Sequence, residues 1–259
     1  MRGQDLARLW RFRAVVEVLI AKELKVRYRG TVLGYLWSLL NPLILVAVYV
    51  LVFSVYLRID MDNYAAFLLC GMLPWSWFSS SLVESGRAII DNGGLVKKVA
   101  LPSEIFPLVS VGSNFVHFAL SLPVLLGLLY VLGIQVGWTI VLLPLVLAVQ
   151  GLLTFGLALL CASLAVRFRD LLHIIPNVLL IWFFLTPVFY PASMVPERFK
   201  GLLWANPMAY LIEAYHDILF YGQPPAVWKF ALLLGFALVM ALAGYQIFNA
   251  RREALVEEV

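Results

Sequence analysis

Residues 105–166 form a stretch of 62 residues without one Asp, Glu, Lys or Arg. No soluble core is built from such a run. The hydrocarbon layer of a bilayer takes about 20 consecutive apolar residues per helix. Within it every backbone N–H and C=O must be paired inside the chain, so the run folds as membrane-crossing helices. The composition agrees: 63% of the residues are hydrophobic and 13% charged, where soluble domains are about half apolar and a quarter charged. The expected fold is an all-α integral membrane protein forming one transmembrane domain over residues 1–259.

Charge-free apolar segments predict six spans, at 33–57, 64–83, 105–132, 138–166, 171–190 and 227–248. Spans three and four are joined by a five-residue, glycine-bounded turn from Gly133 to Gly137, too short to carry a domain. The cations are divided 15 to 4 between the two sets of loops. By the positive-inside rule this places both termini in the cytoplasm. The first 29 residues are basic and broken by charges, without the short apolar core of a cleavable signal peptide. Cys70 and Cys161 lie in apolar stretches and read as small buried residues, not as a disulfide or metal site.

Two segments are neither span nor ordinary loop. In the 1–30 region, residues 6–24 gather Leu6, Leu9, Trp10, Phe12, Val16, Leu19, Ile20 and Leu24 on one helical arc, with Arg8, Arg11, Lys22, Lys25 and Arg29 opposite. That pattern predicts a helix lying in the cytoplasmic interface, serving either as an orientation signal alone or as a docking surface for anionic headgroups or a partner. The extracytoplasmic segment 191–226 is too apolar for a solvated loop. Asn206 and Pro207 supply a helix cap and first-turn proline. After them Leu211, Tyr215, Ile218 and Leu219 oppose Glu213, His216 and Asp217. A second short helix is expected between Pro196 and Ala205. Such short boundary helices act as a re-entrant lid or simply pack.

The missing motifs narrow the function. There is no GxxxxGK[ST] phosphate loop, no H-E-x-x-H, no G-x-S-x-G and no pair of carboxylates within a span. Of the ionisable residues only His117 lies deep in a span, so the acidic relay of an ion-driven carrier is lacking. The spans offer aromatic faces instead. Tyr35, Tyr49, Phe53 and Tyr56 share a stripe with Pro42 in span one, and Trp182, Thr186 and Phe189 share one in span five. Such stripes pack neighbouring helices, or present rings with polar tips over which a sugar can slide.

A family resemblance runs through the chain in order. Arg27-Tyr28-Arg29-Gly30-Thr31-Val32-Leu33-Gly34-Tyr35-Leu36-Trp37, followed by Asn41-Pro42, resembles the start of span one in membrane subunits of ATP-binding-cassette exporters for bacterial surface polysaccharides. These are the O-antigen, capsule and teichoic acid exporters. Gly71-Met72-Leu73-Pro74-Trp75-Ser76-Trp77-Phe78 is similar to span two of that family, and Asn92-Gly93-Gly94-Leu95-Val96-Lys97-Lys98-Val99-Ala100-Leu101-Pro102 to its first large cytoplasmic loop. Arg167-Phe168-Arg169-Asp170-Leu171, Thr186-Pro187-Val188-Phe189-Tyr190 and Asn206-Pro207-Met208 complete the series.

The resemblance implies a homodimer in the bacterial cytoplasmic (inner) membrane, docked on two copies of a separate ATPase. That partner would bind ATP and Mg, leaving this chain with no cofactor, no catalytic residue and no metal. The cargo would be a lipid-linked polysaccharide, with O-antigen foremost; membrane lipids are the other partner, and no nucleic acid is involved. Residues 85–100 map to the coupling segment, with Asn92, Leu95, Lys97 and Lys98 beside Arg167, Arg169 and Asp170. The channel would be lined by Tyr35, Tyr49, Phe53, Tyr56, Trp182 and Phe189. Arg27 and Arg29 would meet the anionic lipid head group, and Trp204, Asn206, Pro207, Tyr215 and His216 would form the outer gate. One departure is His216, where the family often has Arg. Rival readings are an exporter of a drug, haem or lipid, a membrane-embedded glycan-modifying enzyme, and a passive channel.

Overall fold

The computed structural model describes residues 11–56, 61–98 and 101–252. Among these residues every regular element is a helix. A first helix α1 (Arg13–Tyr28) is followed by α2 (Trp37–Val50), which is entered through a tight turn at Gly34–Leu36 and extended by a wider helical turn at Leu51–Tyr56. Gly30 and Gly34 both adopt positive φ, 78° and 50°, the left-handed conformation that lets the chain turn from α1 into α2. Then come α3 (Tyr64–Asp91), the short α4 (Gly93–Lys98), α5 (Ile105–Val131), α6 (Leu143–Arg167) and α7 (Leu171–Phe184). The short α8 (Lys200–Trp204), α9 (Pro207–Tyr215) with its wide turn His216–Phe220, and α10 (Val227–Ala250) complete the chain.

Among the described residues four helices are long and apolar enough to cross a membrane: Tyr64–Asp91, Ile105–Val131, Trp138–Arg167 and Val227–Ala250. The segments expected as spans one and five hold shorter apolar helices, at Leu43–Phe53 and Leu171–Phe184. The fifth predicted span ran to residue 190, but α7 stops at Phe184. Pro187 has no N–H to continue the ladder, and the Thr186 hydroxyl donates to the Trp182 carbonyl instead, at 2.7 Å. The second predicted span ended at 83, but its helix continues to Asp91, taking in the first residues of the predicted coupling segment.

Helix α3 is the centre of the bundle. Its most apolar window is 78% buried inside the protein, against 28–39% for the other three long helices. It packs on α5, α6, α7 and α2, and on α9 from the segment between α7 and α10. Pro74 interrupts its hydrogen-bond ladder, and the Pro74 carbonyl accepts from the Gln150 amide of α6 at 2.8 Å. Gln150 in turn accepts from the Tyr215 hydroxyl of α9 at 2.5 Å. One polar chain therefore ties three helices where an unpaired group would cost most.

Helices α6 and α10 meet almost backbone to backbone. A Cβ added at Gly156 would lie 2.6 Å from the backbone of Ala241, and one added at Gly244 would run into the Gly156 carbonyl. Small residues permit this approach, the usual basis of helix association in lipid. Gly156→Ala and Gly244→Ala are therefore expected to destabilise the solubilised protein by about 1–3 kcal/mol each through overpacking. Gly127→Ala, whose methyl would meet nothing within 4 Å, should be neutral. Thermal unfolding in detergent compares the three.

Candidate functional site: an aromatic groove between two polar ends

Aromatic rings gather where α2, α3 and the α7 end converge. Tyr49 and Phe53 lie one turn apart on α2, with centroids 6.0 Å apart. Phe189 packs on Phe53 at 5.2 Å and lies parallel to Tyr49 at 6.4 Å. Phe183 completes the cluster, 6.2 Å from Tyr49 and 5.7 Å from Phe189. The Tyr64 hydroxyl donates to the Phe189 carbonyl at 2.6 Å, fixing the irregular turn after α7.

Three of the six predicted lining residues, Tyr49, Phe53 and Phe189, thus come together. Tyr56 is exposed at the far end of α2. Tyr35 lies in the turn before α2, and its side chain falls outside the described residues, as does that of Pro42. Trp182 departs from the expected stripe. Its indole N–H donates to Asn206 at 2.7 Å, and its ring meets Phe78 edge-on at 5.3 Å. Phe183 was missed because the stripe was projected at helical spacing across Thr186 and Phe189, past the point where the helix stops.

The rings border a groove of about 430 Å³ between α2, α3 and α7. Tyr49, Trp75 and Phe183 line it together with Ser76, Ser80 and Glu84. Only Tyr49 among these was singled out from the sequence. A serine repeat on α3 carries too weak a periodic signal to separate a groove wall from a packed face.

At the basic end of the bundle α1 lies against α5, with Ile20 seated over Gly112. The two predicted head-group residues point differently. The Arg27 guanidinium pairs with Glu84 at 2.5 Å and donates to the Asn114 side-chain oxygen at 3.1 Å. The Asn114 amide donates to the other Glu84 oxygen at 2.6 Å. One turn earlier Glu23 accepts from the Ser113 hydroxyl at 3.0 Å. Burial pushes the Glu23 carboxyl above its usual range, against the opposing pull of Ser113, Arg27 and Lys22. Arg29 is exposed and shares with Lys22 and Lys25 the lining of a separate open groove of about 750 Å³.

The predicted coupling residues lie at the same end. Asn92 caps α3 by donating to the Ala88 carbonyl at 2.8 Å. Leu95 packs on a small core of Ala88, Ile89, Phe106, Val166 and Phe248. Because Val166 lies in the last turn of α6, this core brings the Arg167–Asp170 turn beside α4. Lys97, Arg167, Arg169 and Asp170 are exposed, and Arg167 stands 5.6 Å over the Phe168 ring. The Lys98 side chain falls outside the described residues.

At the opposite end Asn206 is a hub. It caps α9 by accepting from the Met208 N–H at 3.0 Å, accepts from Trp182, and donates to Thr186 at 2.9 Å and to the Leu185 carbonyl at 3.3 Å. Pro207 opens α9 as expected. Tyr215 is fully buried, whereas Trp204 is exposed and its carbonyl accepts from the Tyr210 hydroxyl at 2.7 Å. His216 corrects the amphipathic reading. The wide turn at 216–220 brings it inward, to donate to the Phe67 carbonyl at 3.1 Å and stack on that ring at 3.9 Å. Burial pushes its pKa down, so it supplies no fixed positive charge. Glu213 and Asp217 stay toward a small pocket at this end of the bundle. Lys229 pairs there with Glu213 at 2.6 Å, and burial raises the Asp217 carboxyl.

The arrangement is an aromatic and hydroxyl-bearing groove with a basic lobe at one end of the bundle and a buried, capped helix at the other. Residues 14–220 match the ABC-2 type transporter family. The chain belongs to that family. It is 39% identical over 253 residues, covering 97% of each chain, to the O-antigen export system permease protein RfbA of Myxococcus xanthus. It is 33% identical to the protein of the same name from Klebsiella pneumoniae, covering 93% of each. The polysialic acid transport protein KpsM of Escherichia coli is 23% identical, over 94% of this chain and 96% of that one. As an ABC-2 family protein with four apolar helices of spanning length, the chain is a multi-pass membrane protein.

Two measurements follow from this geometry. In a double-mutant cycle, Arg27→Gln and Glu84→Gln should show a coupling of about 0.5–3 kcal/mol in detergent unfolding, because each single change strands the other charge. Asn206→Ala should cost about 1–2 kcal/mol from loss of the cap alone. It should also loosen Trp182, read as a red shift in its emission.

Proposed function

We propose that the chain is the channel-forming subunit of an exporter that moves a lipid-linked surface polysaccharide, O-antigen foremost, outward across the bacterial cytoplasmic membrane. The observation that carries this reading is the 39% identity, end to end, with a protein named as an O-antigen export permease. The groove supports it, since rings with polar tips suit a glycan better than an acyl chain.

In this reading α2 and α7, with the turns that extend them, complete six spans. Two copies of the chain face each other across α2 and α7, and both termini are cytoplasmic. Two copies of a separate ATPase dock at the α4 and Arg167–Asp170 surface, and ATP-driven closure rocks that surface against α2 and α7. Asn92 and Leu95 fix the surface, while Lys97, Lys98, Arg167, Arg169 and Asp170 present charge to the partner. The lipid diphosphate lies at the α1 lobe. Arg29, with Lys22 and Lys25, meets it, and Arg27 acts from behind by holding α1 to α3 and α5. Trp204, Asn206, Pro207, Tyr215 and His216 belong to the outer gate.

Depleting the chain in its native cell should leave completed lipid-linked polymer on the cytoplasmic face and strip glycan from the surface. Extraction of lipid-linked glycans with a sidedness assay measures both. Normal surface glycan without internal accumulation would move a small-molecule exporter to the front.

A further inference from the structure

Serine in a membrane helix ordinarily returns its hydroxyl to the carbonyl one turn earlier, because hydrocarbon offers it nothing else. Ser81, Ser110 and Ser121 do so, to the carbonyls of Trp77, Phe106 and His117. Ser76 and Ser80, one turn apart on the groove side of α3, do not. Among the described residues neither hydroxyl has a partner. Nor does the Tyr49 hydroxyl across the groove. Trp75 is only 7% exposed, yet its indole N–H is neither hydrogen-bonded nor among the buried groups sealed without a partner. All four line the same groove. Four donors left unspent around one groove would cost several kcal/mol in lipid, so the groove is shaped for a polar occupant.

We propose that this groove is a saccharide subsite, in which Trp75, Ser76 and Ser80 of α3 hydrogen-bond the hydroxyls of one sugar ring while that ring slides over Tyr49 and Phe183. The assignment rests on the polysaccharide reading above and adds to it a helix outside the two expected to line the channel. Water alone would satisfy the donors, but it gives no reason for aromatic walls, and an acyl chain would suit the walls but not the donors. A sugar ring matches both, being apolar on its face and hydroxylated at its edge. Glu84 closes the basic end of the groove without joining the subsite, because both of its oxygens are held by Arg27 and Asn114. The subsite therefore binds neutral hydroxyls and holds each unit weakly, as a sliding path requires.

The test uses the full chain in its native cell. In a background of Cys70→Ala and Cys161→Ala, Ser76→Cys and Ser80→Cys should be labelled by a water-soluble, membrane-impermeant methanethiosulfonate applied to inside-out vesicles. Ser81→Cys, whose position is fully buried, should remain unlabelled. Ser76→Ala with Ser80→Ala should lower surface glycan at least fivefold at equal amounts of inserted protein, and Ser76→Thr with Ser80→Thr should restore most of it. Failure of Ser76→Cys and Ser80→Cys to label would overturn the subsite, leaving lipid or a second copy of the chain in the groove. So would labelling together with full export by the double alanine variant. Should the alanine pair not accumulate, the labelling and the threonine pair decide. Depletion of the unaltered chain is run alongside. If it leaves surface glycan intact, the polysaccharide reading fails and takes the subsite with it. If it removes the glycan while the alanine pair exports normally, the subsite alone fails.

Discussion

The bundle depends on how a single proline is accommodated. Pro74 sits near the middle of the most buried helix, where a missing N–H and a bent ladder leave polar backbone in a medium that cannot hydrate it. At the bend the Pro74 carbonyl accepts from the Gln150 amide, whose other end accepts from the Tyr215 hydroxyl. Because Tyr215 belongs to α9, this polar contact at the bend in α3 also fixes the position of the segment between α7 and α10. That segment would otherwise be a loop on the surface. Here it is pinned into the core, with Met208, Leu211, Ile212 and Ile218 fully buried around the tyrosine.

The two ends of the bundle are held by contrasting chemistry. At the basic end α1 is held by charge, with Arg27, Glu84 and Asn114 closing a ring of mutually dependent contacts and Glu23 reaching Ser113 beside it. At the other end the buried contacts are neutral, and the Lys229–Glu213 pair lies beside them at the pocket. Asn206 takes four of them, and His216 contributes an uncharged ring where a cation was the familiar alternative. Glu84 belongs to two structures at once, since it holds α1 and also closes the groove. A displacement of α1 therefore cannot leave the groove floor unaffected.

The fold class, the four long spans and the capped helix at Asn206–Pro207 were legible in the sequence because each rests on a local rule: charge-free length, helical period, or a cap followed by proline. The family was legible from short runs spread in order along the chain. What escaped were features set by departures from regular geometry. The α7 end was projected six residues too far because hydropathy continues through Leu185–Tyr190 after the hydrogen-bond ladder has stopped. That error hid Phe183 and misplaced Trp182. His216 was assigned to a polar face because a wide helical turn, which shifts the register, leaves no mark in the residue pattern. Tyr49, Phe53 and Phe189 were found because their ring chemistry stands out, whereas Ser76 and Ser80 gain meaning only from hydrogen bonds they do not make. Whether Arg27 turned inward could not be read at all, since its partners lie 57 and 87 residues away.

The seam between α6 and α10 has a mechanical consequence. Where the two helices touch through Gly156, Ala241 and Gly244 the backbones meet directly, so no long side chain at that crossing has rotamers to exchange. They form a stator. The rings joining α2 to the α7 end meet at 5–6 Å on edges and tilted faces, contacts that can shear without being broken. Deformation of this bundle is therefore unevenly distributed: one flank is rigid by construction, and the flank bearing the groove has to take up the strain.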